Sequence, residues 1–105
     1  MKTEDEVEVI EKEEVALKEP DKYAVTFQND DYTTMTFVLD ILETEFGYNT
    51  WDAANKMMEV HEQGSAVVGE YSYDIATTKA TRTMEEANKQ GFPLVVTVNP
   101  VEKKP

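Results

Sequence analysis

The sequence predicts an α+β domain of order β-α-α-β-α-β, a three-stranded antiparallel sheet packed against helices, with a disordered N-terminal tail ahead of it. Three observations lead there. Short runs of aromatic and β-branched residues recur at three places in the chain. Three longer segments repeat their apolar residues at helical spacing and close on glycine. Residues 1–20 carry no aromatic residue and end in Glu19-Pro20. Helices on one face of a three-stranded sheet are the economical way to bury such stripes.

Each element follows in order. Residues 1–20 hold eight acids against three bases, too little apolar surface to offset the entropy of ordering, and are expected to be disordered. The folded domain is expected over residues 21–100. Tyr23-Ala-Val-Thr-Phe27 alternates and stops at Asn29-Asp30-Asp31, so it reads as a strand entering a turn. Thr33 is positioned to cap a helix in which Met35, Val38, Leu39, Ile41, Leu42 and Phe46 recur, with Gly47 just past its end. Asn49 or Thr50 starts a second helix with apolar positions Trp51, Ala54, Met57, Met58 and Val60, then His61 and the closing Gly64. Residues 65–71 form the second strand. Ser72 caps a third helix whose face is Ile75, Ala76, Ala80, Thr83, Met84 and Ala87, closed by Gly91. Pro93-Leu-Val-Val-Thr-Val98 is the third strand, and residues 101–105 are expected to fray.

Composition bounds the function. At 105 residues the chain holds one small core. It has no cysteine, which excludes disulfides, thiolate metal sites and Cys nucleophiles and makes the cytoplasm the default location. The start Met1-Lys-Thr-Glu-Asp-Glu6 lacks the apolar run of a signal peptide, and no stretch has the roughly 20 apolar residues that span a bilayer. Ten Lys and Arg against 22 Asp and Glu give a net charge of -12. Nucleic acid and anionic membranes repel such a chain, so cationic groups are its natural ligands and neither of those partners is expected.

Catalytic motifs fail on inspection. Gly64 and Gly69 have the glycine spacing of a phosphate-binding loop, but Glu70 and Tyr71 stand where that loop needs Lys and Ser or Thr. His61-Glu62 opens like a zinc-protease helix, yet the chain has one His and that site needs two. Asn29-Asp30-Asp31 lacks the alternating ligands and central Gly of a calcium loop. No metal, cofactor or enzymatic activity is expected.

A combination survives: an acidic turn, a helix start and a lone His ending a Met-rich helix. Taken singly, each has a plain structural use as turn capping, charge-dipole contact or core filling. Together they make an apolar socket bordered by acceptors, the chemistry that holds an ammonium group beside a hydrophobic side chain.

Three spaced motifs carry a family resemblance. Asn29-Asp30-Asp31-Tyr32-Thr33-x-Met35-x-Phe37-Val38, Met57-x-x-Val60-His61-x-x-Gly64 and Gly69-x-Tyr71-x-x-Asp74-Ile75-Ala76-x-x-Lys79 closely resemble ClpS, the adaptor that presents N-degrons to a Clp protease. The resemblance covers about residues 20–98. It implies the same β-α-α-β-α-β fold, no catalysis and no cofactor. It also implies that Asn29, Asp31 and His61 bind the α-ammonium of a substrate N-terminus, with Asp30 adding field and turn geometry. Thr33, Met35, Val38, Met57, Val60 and Leu94 would line the pocket for a first residue such as Leu, Phe, Tyr or Trp. Asp74 and Lys79 would dock on the N-terminal domain of a Clp AAA+ unfoldase of the ClpA or ClpC type, and the tail would take part in handing substrate over. Thr34 stands where the family commonly has Pro, and Asp74 and Thr77 stand where Glu is common. The alternative is an interaction module like the C-terminal domain of the ribosomal stalk protein, which shares the fold without recognising N-degrons.

Overall fold

The computed structural model describes residues 22–102, so the tail expected to be disordered and residues 103–105 lie outside the described residues. The elements are β1 (Tyr23–Gln28), α1 (Met35–Thr44), α2 (Thr50–Gln63), β2 (Ser65–Tyr71), α3 (Tyr73–Lys89) and β3 (Val95–Pro100). The predicted α+β order is the observed one. The sheet order is β2-β1-β3 and both pairings are antiparallel, which puts β1 at the centre.

Alternation along the strands turns Val25, Phe27, Ala66, Val68 and Val96 into the core, where Phe37, Val38, Ile41 and Leu42 of α1 cover them. Helix α3 presents Ala76, Ala80, Thr83 and Ala87, small residues that let its backbone approach closely. The buried Thr83 hydroxyl is satisfied one turn back, donating to the Lys79 carbonyl at 2.8 Å.

Several expected core positions lie outside it. Trp51 of α2 is 78% exposed and Met58 is 37% exposed, because α2 buries Ala53 and Val60, seven residues apart on the opposite side. On α3 only the small stripe is covered, which leaves Ile75 and Met84 at its exposed margins. The cap of α1 is Thr34, one residue later than expected: its hydroxyl accepts from the Phe37 N–H at 3.1 Å. Ser72 precedes α3 as expected but makes no side-chain cap bond. The third strand starts later than expected, since Phe92 N–H still bonds the Ala87 carbonyl at 2.9 Å and Pro93-Leu94 completes the reversal before pairing begins. At its far end the ladder outlasts β3: Val101 N–H donates to the Lys22 carbonyl at 3.0 Å, at the start of the segment expected to fray.

The β1–β2 register shifts between Val25 and Thr26, so Val68 falls between paired residues. Its carbonyl accepts the Tyr48 hydroxyl at 2.6 Å, which pins the α1–α2 turn to the sheet. Burial, then the charges of Glu59 and Asp52, raise the Tyr48 pKa and keep that hydroxyl a donor. Gly69 has a packing reason, because any Cβ there would meet the Tyr71 ring. Lys79, expected at the docking surface, is half-buried. Its Nζ donates to the Glu45 carbonyl at 2.7 Å and lies over the Phe46 and Tyr71 rings, 5.6 and 5.4 Å from their centroids.

Candidate functional site

The turn between β1 and α1 forms one wall of the site. Asn29 is held by its own backbone: its N–H donates to the Gly64 carbonyl at 2.9 Å, which fixes the turn against the end of α2. Gly64 adopts φ +88°, a left-handed conformation that suits glycine and ends α2 just past His61. Asp30 builds the turn. Its Oδ1 accepts the N–H groups of Tyr32 at 2.8 Å and Thr33 at 2.6 Å, and its Oδ2 accepts the Thr33 hydroxyl at 2.8 Å. Burial pushes the Asp30 pKa up, but these hydrogen bonds outweigh it and hold the carboxyl below its ordinary value.

Asp30→Ala should therefore cost about 1 kcal/mol, the usual worth of such a capping acceptor. A folded-state pKa below the unfolded one contributes stability above the ordinary carboxylate range that is lost as pH falls through the folded value. Thermal melts of wild type and Asp30→Ala should differ near neutral pH and converge in strong acid.

The second wall comes from the C-terminal half of α2, where Met57 and His61 share a side at i,i+4 and Val60 faces the core. Between the walls lies a cavity of about 220 Å³ lined by Asn29, Asp30, Asp31, Thr33, Met35, Val38, Met57, Val60 and His61. Every residue proposed for amine binding is there, and every pocket residue except Leu94. Leu94 is buried at 6% exposure and lines a separate groove with Met84, Phe92 and Pro93. It sits in the turn before β3.

The cavity divides chemically. Val38, Met57 and Val60 give an apolar floor, and Asn29, Asp31 and His61 give a polar rim. Asp30 is occupied by the turn, whereas among the described residues no hydrogen bond takes up the side chains of Asn29, Asp31 or His61. An amide oxygen, a carboxylate and an imidazole ring nitrogen can supply three acceptors, the number an ammonium group's three N–H donors require. Met35 is 44% exposed at the mouth, where its unbranched side chain can adapt to what enters. The volume is below the roughly 300–1,000 Å³ of sites that bury drug-sized molecules, and fits one side chain. No group of His, Asp or Glu among the described residues is placed to hold a metal. No helix among them is long and apolar enough to cross a membrane.

Sequence reasoning missed the roles of Thr34 and of the Asn29–Gly64 bond. Thr33 and Thr34 are adjacent and chemically equivalent, so nothing local separates them. Gly64 was the available signal for the bond, because a helix that ends there returns its carbonyl toward the turn.

Comparison with known proteins gives the family. The family model described as ATP-dependent Clp protease adaptor protein ClpS matches residues 18–97. The ClpS adapter protein of Acetivibrio thermocellus is 43% identical over 93 residues, 88% of this chain and 94% of that one. That of Wolinella succinogenes is 42% identical over 83 residues, 79% of this chain and 81% of that one. The solved structure of Agrobacterium tumefaciens ClpS2 bound to L-phenylalaninamide superposes with a TM-score of 0.75 at 39% identity, covering 78% of this chain and 99% of that one. Fold, socket and relatives together define a protease adaptor, a protein that acts by binding and is not an enzyme. The chain belongs to the ClpS family, so its partners are an AAA+ Clp unfoldase and the substrates it brings there.

Proposed function

We propose that this adaptor selects substrates by a free N-terminal Leu, Phe, Tyr or Trp, with the α-ammonium on Asn29, Asp31 and His61 and the side chain on Val38, Met57 and Val60. The observation that carries the reading is the convergence of three unoccupied acceptors on the rim of an apolar cavity sized for one side chain. L-phenylalaninamide, the ligand of the similar ClpS2 structure, is a free amine beside a benzyl group, with an amide in place of the next peptide bond. It stands in for a Phe N-terminus. Burying a Leu or Phe side chain contributes about 1.5–3 kcal/mol, and charge-assisted hydrogen bonds fix the amine.

Delivery needs a second surface. Asp74 and Ile75 are exposed on the first turn of α3 and face solvent, while Lys79 is half-buried between Glu45 and two rings. Docking on the N-terminal domain of a ClpA- or ClpC-type unfoldase would then rest on Asp74 and its apolar neighbour, with Lys79 holding that end of α3 against the α1–α2 turn. A stalk-like module sharing only the fold has no reason to bring Asn29, Asp31 and His61 to one rim.

Peptides differing only in their first residue test the selection by fluorescence anisotropy. Leu, Phe, Tyr and Trp should bind. Ile and Val, branched next to the backbone, should not, and neither should Gly or Glu. Indifference to the first residue would contradict the proposal.

A further inference from the structure

Helix α2 does not end its apolar surface at the cavity. Trp51, Ala54, Met58 and His61 are spaced by three, four and three residues, so they lie along one line of the helix. The line starts at Trp51, 78% exposed, passes the half-buried Ala54 and Met58, 37% exposed, and ends on the His61 rim. An exposed Trp and a part-exposed Met two turns apart on one line of a helix, with Ala54 between them, are an unpartnered apolar face. The face is continuous with the mouth of the cavity.

We infer that this stripe holds the residues of a bound polypeptide that follow its first one, an inference that rests on recognition of the N-terminus at the cavity. With the α-amine on His61, Asn29 and Asp31, the chain leaves the mouth beside His61, where the stripe meets the rim. Ten residues of helix span about 15 Å, the reach of four or five extended residues. Its border is acidic: Asp52 and Glu62 are exposed beside it, while Glu59 is paired with Lys56 at 2.9 Å. The segment that fits is apolar and carries Lys or Arg. A second copy of this chain fits worse, since it would bring its own Asp52 and Glu62 and a net charge of -12 against the same charges.

Trp51 is the only tryptophan in the chain, so its emission reports on the stripe alone when the peptides lack Trp. Three peptides share Leu and the same second residue. One is a dipeptide amide, one continues with apolar and basic residues, and one continues with Gly and Ser. The apolar peptide should shift Trp51 emission to the blue and bind about tenfold tighter than the Gly-Ser peptide, as expected when part of one large side chain is buried. The dipeptide amide should bind without a shift. Trp51→Gln with Met58→Gln should abolish the tenfold preference and leave the dipeptide affinity unchanged. Equal affinity of the two long peptides, or their binding with unchanged emission, would overturn the stripe and spare the cavity. A blue shift on raising protein concentration alone would assign the stripe to self-association and overturn the inference. Failure of all three peptides to bind would overturn N-terminal recognition and the stripe with it.

Discussion

Replacing Asp31 or His61 with alanine should weaken binding of a Leu-first peptide tenfold or more and leave thermal stability almost unchanged. Both residues are exposed on the rim and take no part in the core. Without a bound amine they cost the fold nothing to lose. With the amine in place, each supplies an acceptor to a charge partly withdrawn from water. Removing one partner of a desolvated charged hydrogen bond typically costs about 2–5 kcal/mol, and the open rim puts these residues at the lower end. Asp31→Asn separates charge from shape, because it keeps an acceptor oxygen and drops the negative charge. It should fall between wild type and Asp31→Ala. Isothermal calorimetry at one salt concentration is the measurement, and a normal affinity for Asp31→Ala would reduce that residue to part of a turn.

Leu42→Ala should cost the fold far more than either rim substitution. Leu42 is wholly buried, on the last full turn of α1, and its carbonyl accepts the Tyr48 N–H at 3.0 Å. The substitution leaves a cavity where α1 covers the sheet, at a cost of about 2–5 kcal/mol. At roughly 4–8 °C per kcal/mol for a domain of this size, the melting temperature should drop by about 10 °C or more. Because α1 also carries Met35 and Val38, peptide binding should weaken as the folded fraction falls and recover when the assay is cooled. A drop of only a few degrees would show that α1 is held chiefly from its ends, by Thr34 and Tyr48.

The contrast between these residues shows what the sequence carries. Leu42 and Asp31 were both legible, one as a helical repeat and the other as an acidic turn before a helix start. The element order was legible because each helix is followed by a glycine, and Gly47, Gly64 and Gly91 all adopt the positive φ that such closures use. Periodicity could not decide which side of α2 meets the core. Trp51-Ala54-Met58 and Ala53-Val60 are both apolar lines on the same helix, and hydrophobicity favours the larger residues. The smaller pair is buried because the approach of α1 and β2 leaves little room. Lys79 was opaque for a related reason. Its ammonium satisfies a helix-end carbonyl 34 residues earlier in the chain, and no local pattern reports such a contact. Leu94 was assigned to the site by family resemblance alone; it is buried in the core and lines the neighbouring groove. The remaining site residues were legible because two short segments supply them, residues 29–38 and 57–61, each with its own spacing.

The central claim is that the rim reads a free α-amine and the floor reads the side chain attached to it. One pair of peptides isolates the amine: identical Leu-first sequences, one with a free N-terminus and one acetylated. Acetylation removes the positive charge and two of three N–H donors while leaving the leucine side chain intact. Fluorescence anisotropy against the 105-residue chain should show saturable binding of the free peptide and loss of binding, by at least tenfold, for the acetylated one. Equal affinity of the two would contradict the account.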